Sequence, residues 1–166
     1  MRCNDEGREI VKFFEGFRSS VYSCSAGVPT IGWGSTYYTD GTRVAPGDPD
    51  ISKEQAEDLL VFGLRTAENA VARLAKPTPL NENQFSSLVS FVYNIGSGNF
   101  QSSTLRQKLR RKDYAKAALE FPKWRRANGQ ILRGLVNRRK KEKEKYLFLN
   151  KSNPLIDWIP VSISRG

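Results

Sequence analysis

Apolar residues recur with two different periods along this chain. Between Asp5 and Phe14, Ile10, Val11, Phe13 and Phe14 fall on roughly one helical face, with Asn4 or Asp5 as cap and Gly16 as stop. From Phe17 to Val44, β-branched and aromatic residues alternate with Gly, Ser and Thr, and Gly27 and Asp40-Gly41 mark turns, which predicts a small antiparallel sheet. Pro46 to Asp50 reads as a loop. Ser52 and Gln55 then form a capping box ahead of Ala56, Leu59, Leu60, Leu64, Ala67, Val71 and Leu74, the i, i+3, i+4 spacing of a helix about 34 Å long at 1.5 Å per residue. Lys76 to Pro79 stops it, and Asn81 caps a strongly apolar helix through Phe85, Leu88, Val89, Phe91, Val92 and Ile95 that Gly96 to Asn99 breaks. Shorter helices are expected near Ser103–Arg111 and Asp113–Phe121, and a very basic one from about Leu132 to Leu149. The order predicts an α+β fold with segregated elements: a sheet lobe over 17–50, a connecting helix over 51–75, a helical lobe over 80–150 and a tail over 151–166 that packs along the surface or frays. A cleft between the lobes is the expected ligand site.

Composition narrows the chemistry. A chain of 166 residues, 39% of them hydrophobic, can build a true core as one domain. It contains no histidine, which removes histidine-based triads and most zinc sites; no cofactor or metal is implied. Cys3 and Cys24 can pair once or remain free thiols. The N-terminus has scattered charges and no apolar core of a signal peptide, and no stretch reaches the roughly 18 apolar residues that span a bilayer. The net charge of +10 calls for an acidic partner: nucleic acid, an anionic membrane or an anionic wall polymer.

The segment FFEGFRSSVYSCSAGVPTIGWGST, Phe13 to Thr36, contains one acid, Glu15, placed where the first helix gives way to the sheet. Phe13, Phe14 and Phe17 surround it in sequence, and such desolvation favours a protonated carboxyl, the general acid that glycosidic cleavage requires. Glycosidases pair that acid with a second carboxylate. The sheet segment supplies none, and the polar residues available to face Glu15 are Cys24 and Thr30.

Glu15, eight residues, Cys24, five residues, Thr30 resembles the triad Glu-x8-(Asp or Cys)-x5-Thr of the phage-type lysozymes. The resemblance extends through FEGFR, AGVPTIGWG, ISKEQAEDLL, FVYNIGSGNFQSSTLRQKL, EFPKW and GLVNRR, from roughly Asp5 to Leu149. It implies the lysozyme-like fold and a muramidase acting on peptidoglycan between N-acetylmuramic acid and N-acetylglucosamine, as phage endolysins do. Glu15 would protonate the leaving oxygen, Cys24 would stand where many relatives carry Asp, as base or nucleophile, and Thr30 would position water. It also implies that Thr36, Tyr93, Asn94, Thr104 and Glu120 line the sugar cleft, and that Arg133 or Arg138 pairs with Glu15. Ser35 departs from the family, standing where relatives often have a structural histidine.

The basic residues from Arg106 to Lys112 and from Arg138 to Lys145 read as a solvated helix face, the second run softened by Glu142 and Glu144, that attracts an anionic wall or outer-membrane surface or, as a second reading, disrupts an anionic membrane. A basic nucleic-acid-binding protein is the rival from another class, without a recognised motif, and a wall-binding module that has lost its chemistry is a third reading. The resemblance favours a monomer that waits in the host cytoplasm until holin-type lesions release it.

Overall fold

The computed structural model describes residues 1–148. The expected tail and the end of the last helix at Leu149 lie outside the described residues. Helix α1 (Asp5–Glu15) is capped by Asn4, whose side chain accepts from the Gly7 amide at 3.0 Å. It ends at Gly16, whose φ of +70° no β-carbon-bearing residue adopts cheaply. Strands β1 (Arg18–Ser23) and β2 (Pro29–Gly32) pair antiparallel, with an irregular register between Arg18 and Tyr22. The alternating segment expected to run to Val44 continues only as isolated bridges, Ile31 to Ser35 and Tyr37 to Arg43.

Helix α2 (Lys53–Leu74) opens with both halves of the Ser52/Gln55 capping box. Helix α3 (Glu82–Ile95) opens with the equivalent box of Asn81 and Gln84 and is buried from Asn83 to Val92. It is the centre of the helical lobe, with α1, α2 and α7 (Arg133–Leu147) packed around it. Between them lie α4 (Ser97–Ser102), α5 (Thr104–Arg110), α6 (Tyr114–Ala118), a 3-10 turn at Phe121–Lys123 and a hairpin of β3 (Arg126–Ala127) and β4 (Gln130–Ile131). Gly7 lets α1 approach α3: a β-carbon there would lie 2.7 Å from Cys3 Sγ and 2.8 Å from Ser86 Cβ. Phe91 anchors the core, edge-on to Phe100, Phe121 and Trp124.

The reading of the second basic run as a solvated face is corrected by α7. Arg138, Arg139, Glu142, Lys145 and Tyr146 are buried. They recur at i, i+1, i+4, i+7 and i+8, the buried stripe of a helix written in charged residues. Each charge is matched inside the fold. Lys145 donates to Glu6 and Asn83, and Arg138 and Arg139 share Glu142. Three serines of α3, Ser86, Ser87 and Ser90, are fully buried. Ser87 donates to the Glu142 carbonyl and Ser90 to its carboxylate, so α7 accounts for these two, while Ser86 accepts from the Asn4 amide at 2.9 Å.

Candidate active site

Glu15 is the last residue of α1, and the chain turns at Gly16 into the sheet. Its carboxylate therefore stands at the junction of the two lobes, with its side chain 20% exposed. Two contacts hold it. Arg138 NH1 donates to Oε1 at 2.6 Å. On the other side the loop after β2 presses in at Gly34, where a β-carbon would lie 2.7 Å from Oε2. Arg138 is thus the partner of Glu15; Arg133, the alternative, is exposed at the start of α7. Of the aromatic neighbours expected to desolvate the acid, Phe14 and Phe17 are half-buried, but Phe13 is 79% exposed and turns to solvent.

Cys24 and Thr30 come together in the turn joining β1 to β2. The Cys24 amide donates to the Val28 carbonyl at 3.0 Å, and Gly27 N–H donates back to the Cys24 carbonyl at 2.8 Å. Thr30 is buried and donates to the Val28 carbonyl at 2.9 Å. The backbone around Val28, then that around Ala26, hold the Cys24 thiol below the usual thiol range by hydrogen bonding, with Thr30 adding to the effect. Cys3, by contrast, is pushed up to about 11 by burial against α3. Both thiols are free; one is built to ionise and the other to stay inert. Tyr22 on β1 links the two halves of the site: burial first, then the charge of Glu15 and, more weakly, that of Cys24 raise its phenol.

Next to Glu15 a groove of about 440 Å³ runs between the sheet lobe, α2 and the end of α3. Gly34, Thr36 and Tyr37 form one wall, Phe62, Gly63 and Thr66 the floor, and Val92, Tyr93 and Ser97 the other wall. Tyr93 lies in this wall with its hydroxyl already engaged, donating to the Trp33 carbonyl at 2.9 Å. Its ring passes over Gly63, where a β-carbon would sit 3.2 Å from it. Ser35, the departure noted in the sequence, is buried in the same wall, its amide donating to the Ile31 carbonyl at 2.9 Å.

The remaining expected cleft residues separate. Asn94 points to a second groove of about 370 Å³, which it shares with Ser25, Trp124, Arg126, Leu132 and Leu135 beside the Cys24 turn. Thr104 is exposed at the start of α5 and lines neither groove. Glu120 is turned away from a sugar-contacting role: its side chain is buried and held by Lys108 and by Lys123, the latter at 2.9 Å. Burial pushes its carboxyl up, but the two ammonium groups outweigh this and leave it below the usual carboxylate range. Among the described residues, no group of three or more His, Cys, Asp or Glu could hold a metal ion, and no helix is long and apolar enough to cross a membrane.

Sequence reasoning missed Gly34, Tyr22 and Glu142. Glycine pairs such as Gly32 and Gly34 do announce a tight loop, and Glu142 stands at i+4 from Arg138, a spacing that places the two on one face. What the spacing could not announce was burial.

The chain is similar to known proteins over most of its length. The family profile described as phage lysozyme matches residues 12–142. The endolysin of Salmonella phage P22 is 38% identical over 147 residues, which cover 89% of this chain and 99% of that protein. The endolysin of Bacillus phage B103 is 39% identical over 153 residues, 90% of this chain; the match takes in 54% of the B103 protein, so this chain spans about half its length. Among solved structures, an endolysin from Escherichia coli O157:H7 phage FAHEc1 superposes with a TM-score of 0.79 at 35% identity, covering 89% of this chain and 94% of that one.

Proposed function

This chain belongs to the phage lysozyme family, and we propose that it is a muramidase cleaving the β-1,4 bond between N-acetylmuramic acid and N-acetylglucosamine in peptidoglycan, so lysing the host cell. The observation that carries this reading is the placement of Glu15 at the seam of the lobes, clamped between Arg138 and Gly34, the latter itself lining an open groove. A glycan strand laid along that groove brings a bridging oxygen to Glu15, which donates its proton as the bond breaks. Arg138 then balances the carboxylate left behind. Cys24, as thiolate, faces the positive charge developing on the ring or assists the entering water, and Thr30, its hydroxyl donating to the Val28 carbonyl, braces the turn that carries Cys24. Thr36 and Tyr93 border the strand, and Asn94 contributes from the second groove.

The bond assignment is tested on the products. Reducing the fragments released from purified peptidoglycan with borohydride should convert N-acetylmuramic acid, and not N-acetylglucosamine, to its alditol. Glucosaminitol as the main product overturns it.

The role of Cys24 has its own signature. Iodoacetamide should modify Cys24 well before Cys3, because only Cys24 combines exposure with a lowered pKa. Turnover should fall in step with that modification, whereas C24D should keep it. In the parent, turnover should rise with pH as the thiol ionises, below the ordinary thiol value near ~8.5, and C24D should flatten that rise. Full activity of C24A removes the residue from the mechanism.

Charge distribution supports attraction to the wall. Residues 104–148 carry sixteen Lys and Arg against four Asp and Glu, whereas residues 1–103 carry nine against twelve. Although Arg138, Arg139 and Lys145 are buried, Arg110, Arg111, Lys112, Lys140 and Lys141 are exposed. An anionic wall or outer-membrane surface would meet this lobe first, in a monomer that reaches its substrate through holin-type lesions. Raising salt from 50 to 500 mM should slow lysis of whole cells far more than cleavage of short soluble peptidoglycan fragments. K140E/K141E should lose about three- to tenfold of the low-salt lysis rate. Equal salt effects on both substrates would remove the surface from the account.

A further inference from the structure

We propose that Glu142 is a positioning residue for the acid: a buried carboxylate that fixes the Arg138 guanidinium in the orientation that reaches Glu15. The inference rests on the muramidase reading and adds to it a residue that touches neither the groove nor Glu15.

A guanidinium is a rigid planar fork, so fixing two of its nitrogens decides where the third points. In Arg138, Nε donates to Glu142 Oε1 at 3.1 Å and NH2 donates to the Ser90 carbonyl at 3.2 Å. NH1 is then left pointing at Glu15 Oε1, 2.6 Å away. The Ser90 carbonyl belongs to α3 and cannot move independently of the core. Glu142 is therefore the adjustable half of the clamp, and it is itself tightly held. Ser90 Oγ donates to its Oε1 at 2.7 Å, Arg139 NH2 reaches the same oxygen at 3.0 Å, and Arg139 Nε lies 2.7 Å from Oε2. Ser87 also donates to its main-chain carbonyl. Neither Glu142 nor Arg139 has measurable exposure.

Charges alternate along this row: Glu15, Arg138, Glu142, Arg139. Stability alone is a weak reason for such a row, since apolar residues of similar volume often replace buried ion pairs at no loss or with a gain. Geometry is the stronger reason. Without Glu142, Arg138 retains one fixed partner and can swing about it. A catalytic carboxyl displaced by about 1 Å then loses up to about a hundredfold in rate.

The test is R139M/E142M, which removes the inner pair together and leaves Arg138 with Glu15 and the Ser90 carbonyl. The double variant should melt within a few degrees of the parent. On soluble glycan strands its kcat should fall about ten- to a hundredfold, with KM within twofold. E142D, which keeps the charge on a shorter stem, should recover part of the rate. A folded double variant with parental kcat, or one whose loss is entirely in KM, overturns the proposal. If the double variant does not fold, E142D decides: lowered kcat at the parental melting temperature supports the proposal, and parental kcat overturns it. E15Q run alongside separates the two levels. Turnover surviving in E15Q sinks the muramidase reading itself, whereas an inactive E15Q beside a fully active double variant sinks only the role of Glu142.

Discussion

E15Q should lose at least two to four orders of magnitude in the release of reducing ends from purified peptidoglycan, the usual contribution of a positioned general acid. The substitution is nearly isosteric. The glutamine Oε1 can still accept from Arg138 NH1, so the 2.6 Å contact and the packing against Gly34 persist in kind. What disappears is the proton that has to reach the bridging oxygen. KM should therefore change little while kcat collapses, the pattern of an interaction made only as the bond breaks. Binding to intact peptidoglycan should survive, so the variant should pellet with walls that it does not cut. The same variant distinguishes the rival class, since retention on nucleic acid at low salt would be indifferent to one amide. An E15Q protein that still releases reducing ends at more than a few per cent of the parental rate would end the case for this residue as the acid.

How far the site was legible in the sequence depends on which physical signal each residue carried. Glu15 and the turn holding Cys24 and Thr30 were legible because they are local: a helix stop at Gly16, a turn at Gly27 and a fixed spacing. The helix starts were legible for the same reason, since Asn4, Ser52 and Asn81 each cap where a short polar side chain precedes an apolar repeat. The partner of Glu15 was not. Arg133 and Arg138 lie on one helix, and choosing between them requires its rotation about its axis. That rotation is ordinarily read from an apolar stripe, but the stripe of α7 is Arg138, Arg139, Glu142, Lys145 and Tyr146. Hydrophobic patterning is blind to a buried face made of compensated charges. Glu120 misled for the same reason, its charge satisfied internally by Lys108 and Lys123. Phe13 misled in the opposite sense: an apolar residue beside the acid in sequence lies on the solvent side of α1 in space. The contact of Gly34 with Glu15 joins residues nineteen apart across a loop, and nothing in local periodicity encodes it.

That contact yields the second large effect, in G34A. Gly34 has φ of +80°, where an alanine costs roughly 1–2 kcal/mol in backbone strain. For a chain of this size that is a drop of a few degrees in melting temperature. The added methyl would also lie 2.7 Å from Glu15 Oε2 and 3.0 Å from Cδ. The atoms it meets are the end of a side chain, so the side chain gives way and the backbone does not. The carboxylate can yield only by tilting out of its contact with Arg138, and a displacement of about 1 Å in a catalytic group costs up to roughly a hundredfold in rate. G41A isolates the steric part. Gly41 has φ of +86° and nothing within 4 Å of its would-be β-carbon, so alanine there brings the backbone strain without touching the acid. The two variants should melt at similarly lowered temperatures, while kcat falls about a hundredfold in G34A and stays within twofold of the parent in G41A. Equal kcat in both would mean that the loop does not govern where the carboxylate stands, and the clamp on Glu15 would reduce to Arg138 alone.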